Sequence, residues 1–265
     1  MTMSLPTVEP SDEHRRPPGP EPWWADAWEI DFAAEPGIGG YVRLTLLPNQ
    51  GVAWWWTALL TPRFVAVRDH EVPLPRAGLE VRADGLWGEL VCETPLEHWS
   101  IGLEAFGIAY DDPADAWGDE WGERLPVGLD LEWEATADAG DVPPAGPLPS
   151  AAGGVGYAQP GRVHGEILVG ADRILFSGTG FRSRASGVLD WWSDRRHRRL
   201  AWVTGDGGGI VDDGGRPTGV LGEAPLLVTA VGRPTVPLAR SLCRIDGADG
   251  GTGWAESYPA GHRRS

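Results

Sequence analysis

The sequence contains no lysine: all 22 of its Lys/Arg positions are arginine. This excludes a lysine Schiff base, and with it pyridoxal-phosphate and class I aldolase chemistry, as well as a phosphate-loop lysine. Cysteine is nearly absent. Cys92 and Cys243 are the only two, too few for a disulfide framework or a cysteine-built zinc site, and both read as small buried hydrophobes. The six histidines show no HxxxH or other ligand spacing, so no metal or organic cofactor is expected. There is no GxSxG elbow and no Ser/His/Asp or Cys/His constellation. The glycine-rich run TGDGGGIVDDGG, residues 204–215, lacks the GxGxxG pattern and a following helix, so it reads as two turns. No apolar run approaches the ~18 residues of a membrane-spanning helix. Residues 1–22, MTMSLPTVEPSDEHRRPPGPEP, have no apolar signal core. A disordered Pro-rich tail over residues 1–21, a cytoplasmic location and no membrane insertion are expected.

Glycine and proline are abundant, at 38 and 24 residues, and are spread as punctuation, which favours many short strands and turns. The net charge is −16 and lopsided: residues 21–140 hold 23 acids against 6 arginines, residues 156–260 hold 11 acids against 12. Such a chain repels nucleic acid and anionic surfaces. The arginine run SDRRHRRL, residues 193–200, lacks the interleaved aromatics of a nucleic-acid site and reads as a loop paired with the acidic half.

Alternation predicts the strands. LEVRADGLWGELVCETP holds a DG hairpin turn, HWSIGLEAFGIAYDDP a strand closing on a turn, and VGLDLEWEATA a strand with Leu129, Leu131 and Trp133 on one face and Asp130, Glu132 and Glu134 on the other. That acidic face fits a solvated strand surface. Glu104, a lone acid in SIGLEAFGIAY, fits either a pocket acid or a solvent-facing residue. One short helix fits residues 112–126. The Pro/Gly/Ala-rich segment DVPPAGPLPSAAGGVG interrupts the pattern where the acidic excess ends. The expectation is an all-β chain with an acidic β domain over 22–140, a linker over 141–155 and a second β domain over 156–262.

Fifteen tryptophans stand against five phenylalanines, and Trp54, Trp55 and Trp56 are consecutive. In a strand, Trp54, Trp56, Ala58 and Leu60 share one face and Trp55, Thr57 and Leu59 the other. Both faces are apolar, so this strand is expected to be covered on both sides. Two readings follow: core tryptophans between packed sheets, or one face lining a cavity for a large apolar ligand.

GYAQPGRVHGEILVG, GTGFRSRASGVLDWW and GTGWAESY carry a loose motif. It resembles the second half of the hydroxyneurosporene synthase (carotenoid hydratase)-like family of lipocalin-like proteins, a superfamily that also includes tocopherol cyclases and lipocalin-like Diels–Alderases. The resemblance is nearest to an actinobacterial branch whose pattern runs Y-x-Q, then G-H-R-D-x-S-W-G-x-R-D-W, then G-x-G-x-x-E. Tyr157 and Gln159 match the first element, Gly180, Arg182, Gly187, Asp190 and Trp191 the second, and Gly251, Gly253 and Glu256 the third. Phe181, Ser183, Ala185, Ser186 and Leu189 depart from it, so the motif's acid is a serine here. The resemblance implies two antiparallel lipocalin-like β-barrels or half-barrels side by side, with a large apolar ligand (isoprenoid, steroid or polyketide) in or between them. The resemblance implies Tyr157, Gln159, Arg182 and Trp191 as ligand-binding residues; the two-sided strand and the lone acid add Trp54, Trp56 and Glu104 as candidates. If the protein is a cofactor-free hydratase or cyclase, Asp190 or Glu256 is the implied acid, with Arg182 setting its pKa; a pericyclase would need only a fitted pocket and a hydrogen-bond donor such as Tyr157 or Gln159. A structural or carbohydrate-binding β module is the third possibility; its tryptophans would be exposed.

Overall fold

The computed structural model describes residues 8–34, 37–118, 122–140, 155–188, 191–192, 198–204, 207–212, 219–245 and 251–257. These form fifteen strands and two short 3-10 helices, Pro10–Glu13 and Pro113–Trp117, so the fold is all-β. Ten strands make one antiparallel sheet: β1 (Trp24–Ala34), β2 (Ile38–Leu47), β3 (Val52–Leu60), β4 (Phe64–Pro73), β5 (Glu80–Ala83), β6 (Leu86–Thr94), β7 (His98–Tyr110), β8 (Glu123–Ala135), β9 (Val155–Val169) and β10 (Asp172–Val188). Their order is β4-β3-β2-β1-β10-β9-β8-β7-β6-β5. β4 also pairs with the end of β7, Phe64 opposite Tyr110, which closes eight strands into a ring. The β5–β6 hairpin lies along the first part of β7. A second antiparallel sheet holds β11 (Arg198–Thr204), β12 (Gly207–Asp212), β13 (Gly219–Val228), β14 (Val236–Ile245) and β15 (Gly251–Ser257), ordered β12-β11-β15-β14-β13.

The segment 141–155 does not separate the two sheets. β9 and β10, beyond it, complete the ring: β9 pairs with β8 from Val127–Val169 to Ala135–Gly161, and β10 pairs with β1 from Trp24–Val188 to Ala33–Thr179. The change of sheet comes after β10. Pro/Gly composition marks a non-repetitive connection, but it carries no information on which strands the connection joins.

Strand burial explains the tryptophan run. β6, β7 and β8 alternate buried and wetter residues, as a wall with one wet face does. β1, β2 and β3 are buried along almost their whole length. Trp55 and Leu59 point into the ring core with Trp28, Val42 and Leu131, whereas Trp54, Trp56, Ala58 and Leu60 pack with Leu226, Leu238, Leu242 and Trp254 of the second sheet. The strand is dry on both faces because one faces the ring interior and the other the neighbouring sheet. Trp55 fits because Gly88 stands across the ring: a Cβ there would lie 2.7 Å from its ring. Its N–H donates to Thr57 Oγ1 at 3.0 Å, on the same face.

The polar N-terminal segment also departs from expectation. Residues 8–22 lie as a strap across one end of the ring, and Glu13 is buried. One buried ion pair, Glu13–Arg182, and hydrogen bonds of Arg15, Arg16 and His14, rather than apolar burial, hold it there; composition reports apolar burial and misses such contacts.

Candidate functional site

The sequence-derived candidates separate into two clusters on opposite sides of the β1–β10 wall. In the first, between the ring and the second sheet, charged side chains project from strands that are otherwise apolar. β1 reads WADAWEIDFAA, and its alternate residues Glu29 and Asp31 face the second sheet while Trp28, Ile30 and Phe32 fill the ring. Arg43 of β2 donates from Nη1 to Glu29 Oε2 at 3.1 Å and from Nε to Thr45 Oγ1 at 3.2 Å. Arg240 of β14 donates from Nη2 to the other Glu29 oxygen at 2.8 Å and lies 3.9 Å from Asp31 and 3.6 Å from Glu256. Asp31 accepts the Phe181 backbone N–H at 3.0 Å. All five charged side chains are buried, where pairing is what makes charge tolerable. Burial by itself would push Arg240 down, but Glu29 and Glu256 outweigh it and hold the guanidinium well above its usual value.

Aromatic rings enclose this network. The Arg43 guanidinium lies over Trp56 and Trp191, 5.5 and 5.3 Å from the ring centroids, and Arg240 over Tyr41 and Trp254, at 4.0 and 5.6 Å. Trp54 stacks on Trp56 at 5.7 Å, and Trp191 meets Trp56 edge-on at 5.5 Å. Such contacts are worth about 0.5–1.5 kcal/mol each beyond area burial. Burial pushes the Tyr41 phenol up to about 12, against the pull of Arg240, so it remains a neutral hydroxyl. His70 accepts the Trp56 indole N–H at Nε2, 2.9 Å, and its Nδ1 lies 3.2 Å from Thr229 Oγ1. Burial and then Arg68 push its pKa down to about 3. The imidazole is therefore neutral, with its proton assigned to Nδ1 by this network. Half-buried Trp23 and Trp192, 4.7 Å apart, extend the aromatic cluster outward from Trp54.

The second cluster lies inside the ring, under the strap. The Arg182 guanidinium is bound by both oxygens of Glu13, at 2.7 and 2.8 Å, and by Gln159 Oε1 at 2.8 Å. It lies 5.3, 5.0 and 5.4 Å from the rings of Trp99, Trp133 and Tyr157. Burial drives the Tyr157 hydroxyl well above its usual value.

Trp54, Trp56, Trp191 and Glu256 thus share the first cluster, and Tyr157, Gln159 and Arg182 the second. Arg182 does not accompany Glu256, whose arginine is Arg240; alternation along β10 turns Arg182 into the ring. Glu104 is exposed on the outer wall of β7, so it belongs to neither cluster. Its neighbours Leu103 and Ala105 take the inward face. Asp190 and the SDRR start of the arginine run lie outside the described residues. The acids of β8 face outward, with Glu132 2.7 Å from His98. Reading the sequence missed Glu13, Glu29, Asp31, Arg43, His70 and Arg240. The available signal was a lone arginine in YVRLTLL and PLARSLC, opposite alternating acids in WEIDF. Among the described residues, no group of three or more His, Cys, Asp or Glu is placed to hold a metal ion, and no helix is long and apolar enough to cross a membrane.

A sequence-family profile described as a domain of unknown function, DUF7064, matches residues 9–212. No curated protein matches the sequence. The fold is similar to the crystal structure of an AttH candidate from Nitrosomonas europaea, with a TM-score of 0.54 and 12% identity, covering 96% of this chain and 97% of that one. At that identity the likeness is one of fold.

Proposed function

The chain belongs to the DUF7064 family, a domain of unknown function, and from that premise we propose that it binds a large apolar small molecule, such as an isoprenoid, steroid or polyketide, at the tryptophan cluster between the ring and the second sheet. One observation carries this reading: Trp56, Trp191, Tyr41 and Trp254 surround the buried Glu29–Arg43–Arg240–Glu256 network. Apolar walls with a few oriented polar groups are the usual make-up of a small-molecule site. The aromatic faces take the ligand body, and the network takes a hydroxyl or carbonyl. Buried indoles do not suit a carbohydrate platform, which needs exposed rings.

A second reading, a cofactor-free hydratase or cyclase, draws on the resemblance to carotenoid hydratase-like proteins. The motif acid is replaced by Ser183, but Ser183 sits directly across the ladder from Glu29, and opposed residues share a face. Glu29 thus brings a carboxylate to the neighbourhood of the missing one, and Glu256 supplies another across the interface. In such chemistry a carboxylic acid protonates an alkene and aromatic faces stabilise the cation. Asp190 remains a further candidate acid.

Tryptophan fluorescence titration with farnesol and progesterone tests the binding reading. A saturable response is expected, weakened at least about tenfold by Trp56→Ala. No response to either probe, or one that Trp56→Ala leaves unchanged, overturns it. For the enzyme reading, Glu256→Gln is expected to abolish turnover of a substrate while preserving its binding.

A further inference from the structure

We propose that the strapped end of the ring is a carboxylate-binding site whose built-in occupant is Glu13, and that a monocarboxylate with an apolar body competes with the strap for it. The site is independent of the interface cluster, on the other side of the wall. It has the parts of a carboxylate receptor. Arg182 offers two parallel N–H donors, the bidentate geometry that matches a carboxylate. The Leu96 backbone N–H adds a third, 3.1 Å from Glu13 Oε1. Leu96 is the one non-glycine residue with positive φ, +64°, among the described residues, a conformation that side chains disfavour and that clusters at binding sites. Gln159 holds it there: its amide donates to the Leu96 carbonyl at 2.8 Å and to the Ala137 carbonyl at 2.9 Å, while its oxygen steadies Arg182. Each of these parts serves the orientation of donors.

The receptor also has more donors than Glu13 uses. Arg182 Nε and the indole N–H groups of Trp99 and Trp133 are buried and have no acceptor among the described residues. Trp99, Trp133 and Arg182 are each at most 1% exposed. Buried donors are ordinarily satisfied, so an unused guanidinium N–H and two unused indole N–H groups beside it point to an occupant with more acceptor atoms than the strap supplies. Trp99 and Trp133 are continuous with the apolar ring core, which favours an apolar body behind the carboxylate. The strap itself is removable. It makes no ladder with the ring and is held by polar contacts: Arg184 to the His14 carbonyl, the Arg16 N–H to Asp26, Arg15 to the Pro75 carbonyl, and Glu13.

Glu13→Ala in the full chain removes the equivalent of acetate and should leave a receptor that an added carboxylate refills. Hexanoate is expected to raise the Tm of Glu13→Ala by at least about 3 °C more than that of the wild type. Hexanol and chloride should give no such difference, and Glu13→Gln, whose side chain fills the space, should not respond. Equal shifts in wild type and variant, no shift, or a response to acetate without one to hexanoate each overturn the proposal, the last by reducing the site to a latch. Should Glu13→Ala not fold, trypsin cleavage after Arg15 in the wild type decides. Hexanoate that displaces Glu13 should speed this cleavage at least about threefold relative to hexanol, because cleavage follows the population of the released strap; an unchanged rate overturns the proposal.

Discussion

Single side chains in this protein are set by the scarcity of water around them. His70, partly buried against Trp54 and Trp56, is one case. Its folded-state pKa lies near 3, whereas an unfolded histidine titrates near 6.5. Between those values the unfolded chain takes a proton that the folded chain refuses. The stability His70 contributes is therefore fully present above about pH 6.5 and is lost as pH falls towards 3. Urea unfolding at stepped pH should show stability falling below pH 6.5, and His70→Gln should flatten that slope; an equal slope in both proteins would assign the acid sensitivity elsewhere. Thr57 is a second case. Its hydroxyl accepts the N–H of fully buried Trp55, so Thr57→Val should cost about 1–3 kcal/mol by leaving that donor unpaired, measurable by the same unfolding curves.

At the scale of the strand, glycine decides where elements can meet. Gly165 of β9 has φ +138°, and a Cβ there would lie 2.1 Å from the Asp130 backbone oxygen of β8. Backbone cannot yield as a side-chain tip can. Gly165→Ala should therefore destabilise the protein more than Gly88→Ala, where the clash is with a side chain, the Trp55 ring, and the backbone φ is not positive; comparing their Tm values checks the ranking. The strands were well marked in the sequence. The DG turn produced the β5–β6 hairpin with Gly85 at φ +73°, and the two dry faces of VAWWWTALL were readable because period-2 alternation assigns faces without knowledge of partners. Partners were not readable. Nothing local in FRSRASG announces that it lies beside WADAWEID, so Arg182 could not be matched to Glu13, nor Glu29 to Arg43 and Arg240. Half of the candidate site was visible as residue types, and its pairings were hidden because they join positions up to 211 residues apart.

For the whole molecule, the second sheet is what keeps the outer wall of the ring dry. Tyr41, Trp54, Trp56 and Phe64 pack in one cluster with Leu226, Leu238 and Trp254. A chain ended after Trp192 would expose those rings as one contiguous patch, the kind that drives association. Size-exclusion chromatography should show aggregates rather than a monomer; a well-behaved monomer would mean that the ring stands alone. The seam between β1 and β10 has a consequence for how the protein is made. Trp24 pairs with Val188, so a nascent chain cannot close its ring until the ribosome has released β10, on the order of ten seconds or more after β1 has emerged at ordinary elongation rates. Over that interval β1, which carries Trp24 and Trp28, is an unpaired edge of the kind open to wrong pairing, and the slow step of folding is expected at the meeting of the chain's early and late parts.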